Sequence, residues 1–230
     1  MSLLGKGALI FWHDIAEGAE SDYEAWHSHE HMRERLGVPG FLRGRRYDVV
    51  GAGPRYVILY EVETVGVLTS APYLVRLNDP TPWTQRIVAD FRRTNRTIAG
   101  VRGTAGTGVG GYLLTVRVSP GDREDEMERW LVDELIPELA GLPGLSGAHL
   151  LMGDEAASQT ESREKRLRGE ADRIAAWALL VEGYDEAVLR RVAGERLSAN
   201  LWRSKGAQGR PLIGLYRLRH CLSVQDLDAV

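Results

Sequence analysis

An α+β chain of two fused βαββαβ repeats, whose antiparallel sheets pack into one barrel, is predicted by three observations. The first is an internal duplication. Residues 26–40 (WHSHEHMRERLGVPG) and 130–144 (WLVDELIPELAGLPG) share six identities in fifteen positions at an offset of 104, where average composition predicts about one. They are Trp26/Trp130, Glu30/Glu134, Glu34/Glu138, Gly37/Gly141, Pro39/Pro143 and Gly40/Gly144. The second is the block ILYE at 58–61, which matches LLVE at 179–182 at offset 121, so the second copy carries 17 extra residues between the blocks. The third is periodicity, which in each copy reads strand, helix, strand, strand, helix, strand.

Strand one covers residues 8–14 and 112–118, rich in β-branched and aromatic side chains. Helix one starts near 21 and 123 and stops at Gly37 and Gly141, each followed two residues later by proline. Strand two spans 41–50 and 147–152, and strand three 56–62 and 176–183. A second helical region follows at 65–76 with 83–93, and at 185–203; strand four is 96–102 and 211–222. This is the ferredoxin-like split unit. Alone, it leaves one sheet face bare, because both helices cover the other. The repeats thus occupy 1–103 and 111–230, joined by a glycine-rich linker at 104–110. A segment at about 153–173, dense in both signs of charge and without apolar periodicity, is expected to be a solvated excursion.

Composition excludes several roles. In 230 residues, 29 Lys and Arg stand against 32 Asp and Glu, a net charge of −3, so there is no basic footprint for nucleic acid. No apolar run of about 18 residues exists to span a bilayer, and the N-terminus lacks the cleavage pattern of a secretory signal. The single cysteine, Cys221, excludes an internal disulfide and suits a reducing cytoplasm, the expected location. No zincin HExxH, P-loop lysine or GxSxG elbow occurs, and no metal site is expected.

Polar chemistry collects in the first copy. Helical spacing places Tyr23, His27, Glu30, His31 and Glu34 on one stripe and His29 nearly opposite, facing water. The second copy has Leu131, Leu135 and Leu139 where the first has His27, His31 and Arg35. Imidazoles at core positions are costly unless they are satisfied. They are therefore either a buried network with a glutamate or an acid/base site in which Glu30 or Glu34 orients His31, with His27 as second candidate. On strand one, alternation groups Leu9, Phe11 and His13 on the face shared with Thr115 and Arg117, and turns His13 and Arg117 toward the space between the sheets. Glu61, with Trp12, Trp26 and Tyr60 as aromatic walls, completes the expected small-molecule pocket.

The strand FWHDI, the helix block WHSHEHMRERLGVPGF with RGRRYDVV after it, and the later YVILYEVE with LTSAPYLVRLNDPTPWTQR resemble the dimeric α+β barrel superfamily, most nearly its EthD-like members. The resemblance covers most of residues 7–102 and, more weakly, 110–222. It implies ferredoxin-like units paired into a barrel, here fused in one chain, and small aromatic or polyketide-like substrates. It also implies a helix-one histidine matching His31 or, less directly, His27. Three readings stay open: a cofactor-free oxygenase, isomerase or lyase acting on a small apolar or aromatic carbonyl compound; a haem- or metal-binding protein using the same imidazoles; or a non-catalytic binding or assembly protein. The outer barrel faces are free to pair into a homodimer.

Overall fold

The computed structural model describes residues 3–227. The first repeat runs β1 (Gly7–Ile15), α1 (Glu20–Trp26), a π-helical turn (His27–His31), α2 (Met32–Leu36), β2 (Phe41–Val49), β3 (Tyr56–Val62), α3 (Ala71–Asn78), α4 (Pro82–Val88) and β4 (Phe91–Gly106). The second runs β5 (Tyr112–Pro120), α5 (Glu124–Arg129), a π-helical turn (Trp130–Leu135), α6 (Ile136–Ala140), β6 (Leu145–Gly153), α7 (Glu155–Gln159), α8 (Arg163–Arg168), β7 (Trp177–Gly183), α9 (Glu186–Glu195), α10 (Ala199–Ser204) and β8 (Ala207–Ser223). The strands close one antiparallel barrel in the order β1-β3-β2-β8-β5-β7-β6-β4. Each repeat contributes four adjacent strands, β4-β1-β3-β2 and β8-β5-β7-β6, and the seams β2–β8 and β4–β6 join them. The bare sheet faces thereby cover one another, and the helices lie outside.

Helix one stops where expected, at Leu36 and Ala140 directly before the two glycines, and Gly37 keeps a right-handed φ of −72°. The left-handed positions are Gly40 and Gly144, at φ 91° and 94°, where a side chain would be strained. One local expectation is corrected: the helix expected to reach residue 93 ends at Val88, and it starts at Pro82, capped by the Thr81 side chain, which accepts from the Thr84 amide. Phe91 already belongs to β4 and is buried in the aromatic cluster beneath α1.

A second correction alters the site. Ala8 lies opposite Glu61 on β3, and Leu113 lies opposite Glu182 on β7. Strand one therefore repeats at offset 105, although helix one repeats at 104. The extra residue sits in the connection, which is 16–19 in the first copy and 121–123 in the second. A slip of one residue exchanges the faces of a strand. Trp12, not His13, thus points into the barrel, where its Nε1 donates to Thr115 Oγ1 at 3.2 Å and the Arg117 guanidinium lies 4.8 Å from its ring centroid. His13 faces the helices instead.

The barrel interior also holds a charged network that locks the repeats together. Glu61 and Glu182 are fully buried, as are Arg45 and His149. Arg45 bridges both carboxylates, at 2.9 Å to Glu61 and 2.7 Å to Glu182. Arg43 grips Glu61 with Nε and Nη2 at 2.8 and 2.7 Å. Ion pairing outweighs burial at Glu182 and holds its carboxyl down at about 2.

The charged insertion is not a free excursion. It folds into α7 and α8, and α8 packs against α3 and α4 of the first repeat, burying Glu164 and Arg168. Among the described residues, no helix is long and apolar enough to cross a membrane.

Candidate functional site

Spacing of four residues carries Tyr23, His27, His31 and Arg35 along one face of helix one. Below them the first sheet offers Leu9, Phe11 and His13 from β1, Ile58 and Tyr60 from β3, and Phe91 and Arg96 from β4. Tyr73 and Leu77 of α3 close one side, and Glu164 and Arg168 of α8 another; together with Trp26 and Val88 they line one cavity. In the second copy Met127, Leu131, Leu135 and Leu139 fill this space with Trp130 and Trp202 as solid core.

Two hydrogen bonds join helix to sheet across the slot. His13 Nε2 lies 3.0 Å from the Tyr23 hydroxyl, and its Nδ1 lies 3.1 Å from the Asp14 carbonyl. A carbonyl only accepts, so Nδ1–H donates to it and Nε2 accepts from Tyr23. Tyr60 and His27 Nε2 meet at 3.3 Å. His27 Nδ1 and His31 Nδ1 are buried without partners among the described residues, and the His31 ring lies 4.2 Å from the Trp26 ring, centroid to centroid.

All three imidazoles are neutral at pH 7. Burial pushes His13 down to about 4, against the raising influence of the Asp14 carbonyl and carboxylate. Burial, then the positive charge of Arg46, lowers His27 well below its ordinary value; burial, then Arg35, does the same to His31. A neutral imidazole with a free nitrogen is a proton acceptor. His13 has both nitrogens committed, so His31 and His27 are the available bases.

Of the residues singled out in the sequence, the cavity brings together His13, Trp26, His27, His31 and Tyr60. Trp12 belongs to the barrel interior for the register reason above, together with Glu61 and Arg117, which were expected between the sheets. Glu30 and Glu34 bond to other partners than the imidazoles. The Glu30 carboxylate accepts from the hydroxyls of Thr81 at 2.6 Å and Thr84 at 3.2 Å, tying helix one to the start of α4. Glu34 lies 3.8 Å from Arg35, and burial raises its carboxyl. The carboxylate expected to orient a histidine is replaced by the Tyr23 and Tyr60 hydroxyls. His29 is exposed, as expected. Sequence reasoning missed Arg96, Tyr73, Glu164 and Arg168 as site residues. Arg35 carried a signal, standing where the second copy has Leu139, but nothing in the insertion indicated that α8 would reach the other repeat.

Among the described residues, no three His, Cys, Asp or Glu side chains converge to hold a metal ion. Haem has an imidazole available, but the His13–Tyr23 and His27–Tyr60 bonds cross the slot, and a porphyrin plate would have to break both. The residues as arranged do not fit it.

No protein-family model matches the chain, and no curated protein matches its sequence. Solved structures do match its fold. An anthrone oxidase-like protein aligns with a TM-score of 0.61 at 12% identity, covering 97% of this chain and 96% of that one. A candidate monooxygenase of Fusobacterium nucleatum subsp. nucleatum aligns with a TM-score of 0.61 at 9% identity, covering 96% of each chain. A heme-binding protein from Thermus thermophilus gives 0.53 at 12% identity, covering 100% of this chain and 96% of that one. The fold is therefore the ferredoxin-like dimeric α+β barrel, realised within one chain; the narrower EthD-like kinship has no support among these structures.

Proposed function

We propose that the protein is a cofactor-free enzyme that acts on a small aromatic carbonyl compound by histidine acid/base chemistry. The observation that carries this reading is His31: a neutral imidazole, its Nδ1 buried and unpartnered among the described residues, set against Trp26 in an aromatic slot where the second copy has leucine. His31 accepts a proton from a C–H beside the substrate carbonyl or from a phenolic O–H, becoming an imidazolium. The resulting enolate or phenolate is held by nearby donors, and the proton is returned at another carbon or to a leaving group. His27, tied to Tyr60, is the second base. Glu30 and Glu34 act as positioning residues through Thr81, Thr84 and Arg35. The fold shared with an anthrone oxidase-like protein supports a small aromatic substrate without identifying it.

The test is His31→Ala in turnover assays across a panel of aromatic ketones and phenols. Loss of a positioned base lowers kcat by about 10²–10⁴-fold; unchanged turnover of a substrate that the wild type converts removes His31 from the chemistry. Titration with haemin is the companion measurement. A Soret shift that disappears in the double variant His27→Leu, His31→Leu would favour the haem reading instead.

A further inference from the structure

Charge pairing in the cavity leaves one cation over. Arg35 is ion-paired with Glu164, and Arg168 with Asp172 at 2.5 Å. Arg96 is only 8% exposed and faces the same cavity, yet among the described residues no carboxylate lies within ion-pair distance of it. Its guanidinium donates from Nη2 to the Tyr73 hydroxyl at 3.0 Å. A guanidinium fork carries five donors suited to a planar oxyanion, and burying it without an anion is costly.

The position is particular to the first copy. Arg96 pairs with Phe11 across β1 and β4, whereas the matching pair across β5 and β8 is Val116 with Ile213. Arg168 joins Arg96 from above, its guanidinium 5.7 Å from the Phe11 ring centroid, and its Nε is buried without a partner among the described residues. Both arginines also line an adjoining hollow with Lys165, Ser162 and Thr160. Arg96, Arg168 and Lys165, with the hydroxyls of Ser162 and Thr160, thus line the hollow that adjoins the slot.

We propose that the ligand of this cavity is an organic acid: an aromatic body against Trp26, His31 and Phe91, and a carboxylate received by Arg96 with Arg168 beside it. This deepens the enzymatic reading in that it takes the same cavity as the site, but it concerns recognition and not proton transfer. Arg96 has already lost its water in folding, so an incoming carboxylate gains a charge-assisted bond without desolvating the protein partner again.

The test is isothermal titration calorimetry with 2-naphthoate and its neutral isostere 2-naphthamide, on wild type, Arg96→Gln, Arg96→Lys and His31→Gln. A hydrogen bond to a charged group is worth about 1.5–3 kcal/mol, so naphthoate should bind roughly 10- to 100-fold tighter than the amide. The preference should persist in Arg96→Lys and His31→Gln and shrink below about threefold in Arg96→Gln. Equal binding of both probes, binding of neither, or a preference unchanged in Arg96→Gln overturns the proposal. If circular dichroism shows that Arg96→Gln does not fold, Arg168→Gln takes its place: loss of at least half the logarithmic preference supports the proposal and retention overturns it. Loss of turnover in His31→Gln is read separately, so recognition and catalysis can fail independently.

Discussion

His13 shows what a single residue does when its partners are fixed by the fold. Its pKa falls from an ordinary 6.5 to about 4, so between these values the unfolded chain binds the extra proton. Stability from this group is therefore complete above pH 6.5 and declines as pH falls toward 4, by about 3 kcal/mol in all. Urea midpoints measured from pH 7 to 4 should drop accordingly, and His13→Gln should flatten part of that slope. Catalysis should follow a similar direction at His31. The base is needed neutral and its pKa is depressed, so kcat/KM should stay level through pH 6.5 and fall only well into the acid range. A limb near 6.5 would mean that His31 is solvated during turnover. The sequence made the histidines visible because the second copy supplies Leu131 and Leu135 as controls. It could not assign His13 to a face, because a strand's parity depends on one residue in a connecting loop.

At the scale of elements, both copies of helix one contain a π-helical turn, His27–His31 and Trp130–Leu135. Such turns gather at functional sites, yet the buried residues of the second copy's turn, Trp130, Leu131 and Leu135, pack only core. The turn is therefore inherited with the repeat, and the chemistry comes from the side chains placed on it. The legible part of this element was its apolar face; the illegible part was the element that lies above it. Helix α8 has no apolar stripe to announce docking, and it is held by the buried pair Arg35–Glu164 and by Arg168. Removing one partner of a buried pair costs more than removing both. Glu164→Ala should thus destabilise by about 3–5 kcal/mol, while Arg35→Leu with Glu164→Leu should cost much less. Denaturant curves of the wild type and these two variants check this, and equal losses would show that the pair does not hold α8.

Over the whole molecule, the closure into one barrel followed from the duplication and from the need of each sheet to cover its bare face. Identities such as Pro39/Pro143 and Gly40/Gly144 were enough to show it. The charged interior was less legible. Glu61 and Glu182 were visible as a repeated pair, but Arg45 reaches both only because the seams bring the two copies together. Each repeat keeps a core of its own between sheet and helices, but that network, the core between the sheets and the two hydrogen-bonded seams tie the repeats together. Calorimetry should show one transition whose van't Hoff and calorimetric enthalpies agree; two separable transitions would mean that the repeats unfold apart. The reach of α8 across to the first repeat has its own consequence. In a barrel assembled from two identical subunits, every substitution is made twice, and an improvement to one half is imposed on the other. Here the two halves are separate stretches of one gene. The second half could fill its own hollow with leucine and tryptophan, lengthen one loop, and become the wall of its neighbour's chamber, a division of labour that identical subunits cannot reach.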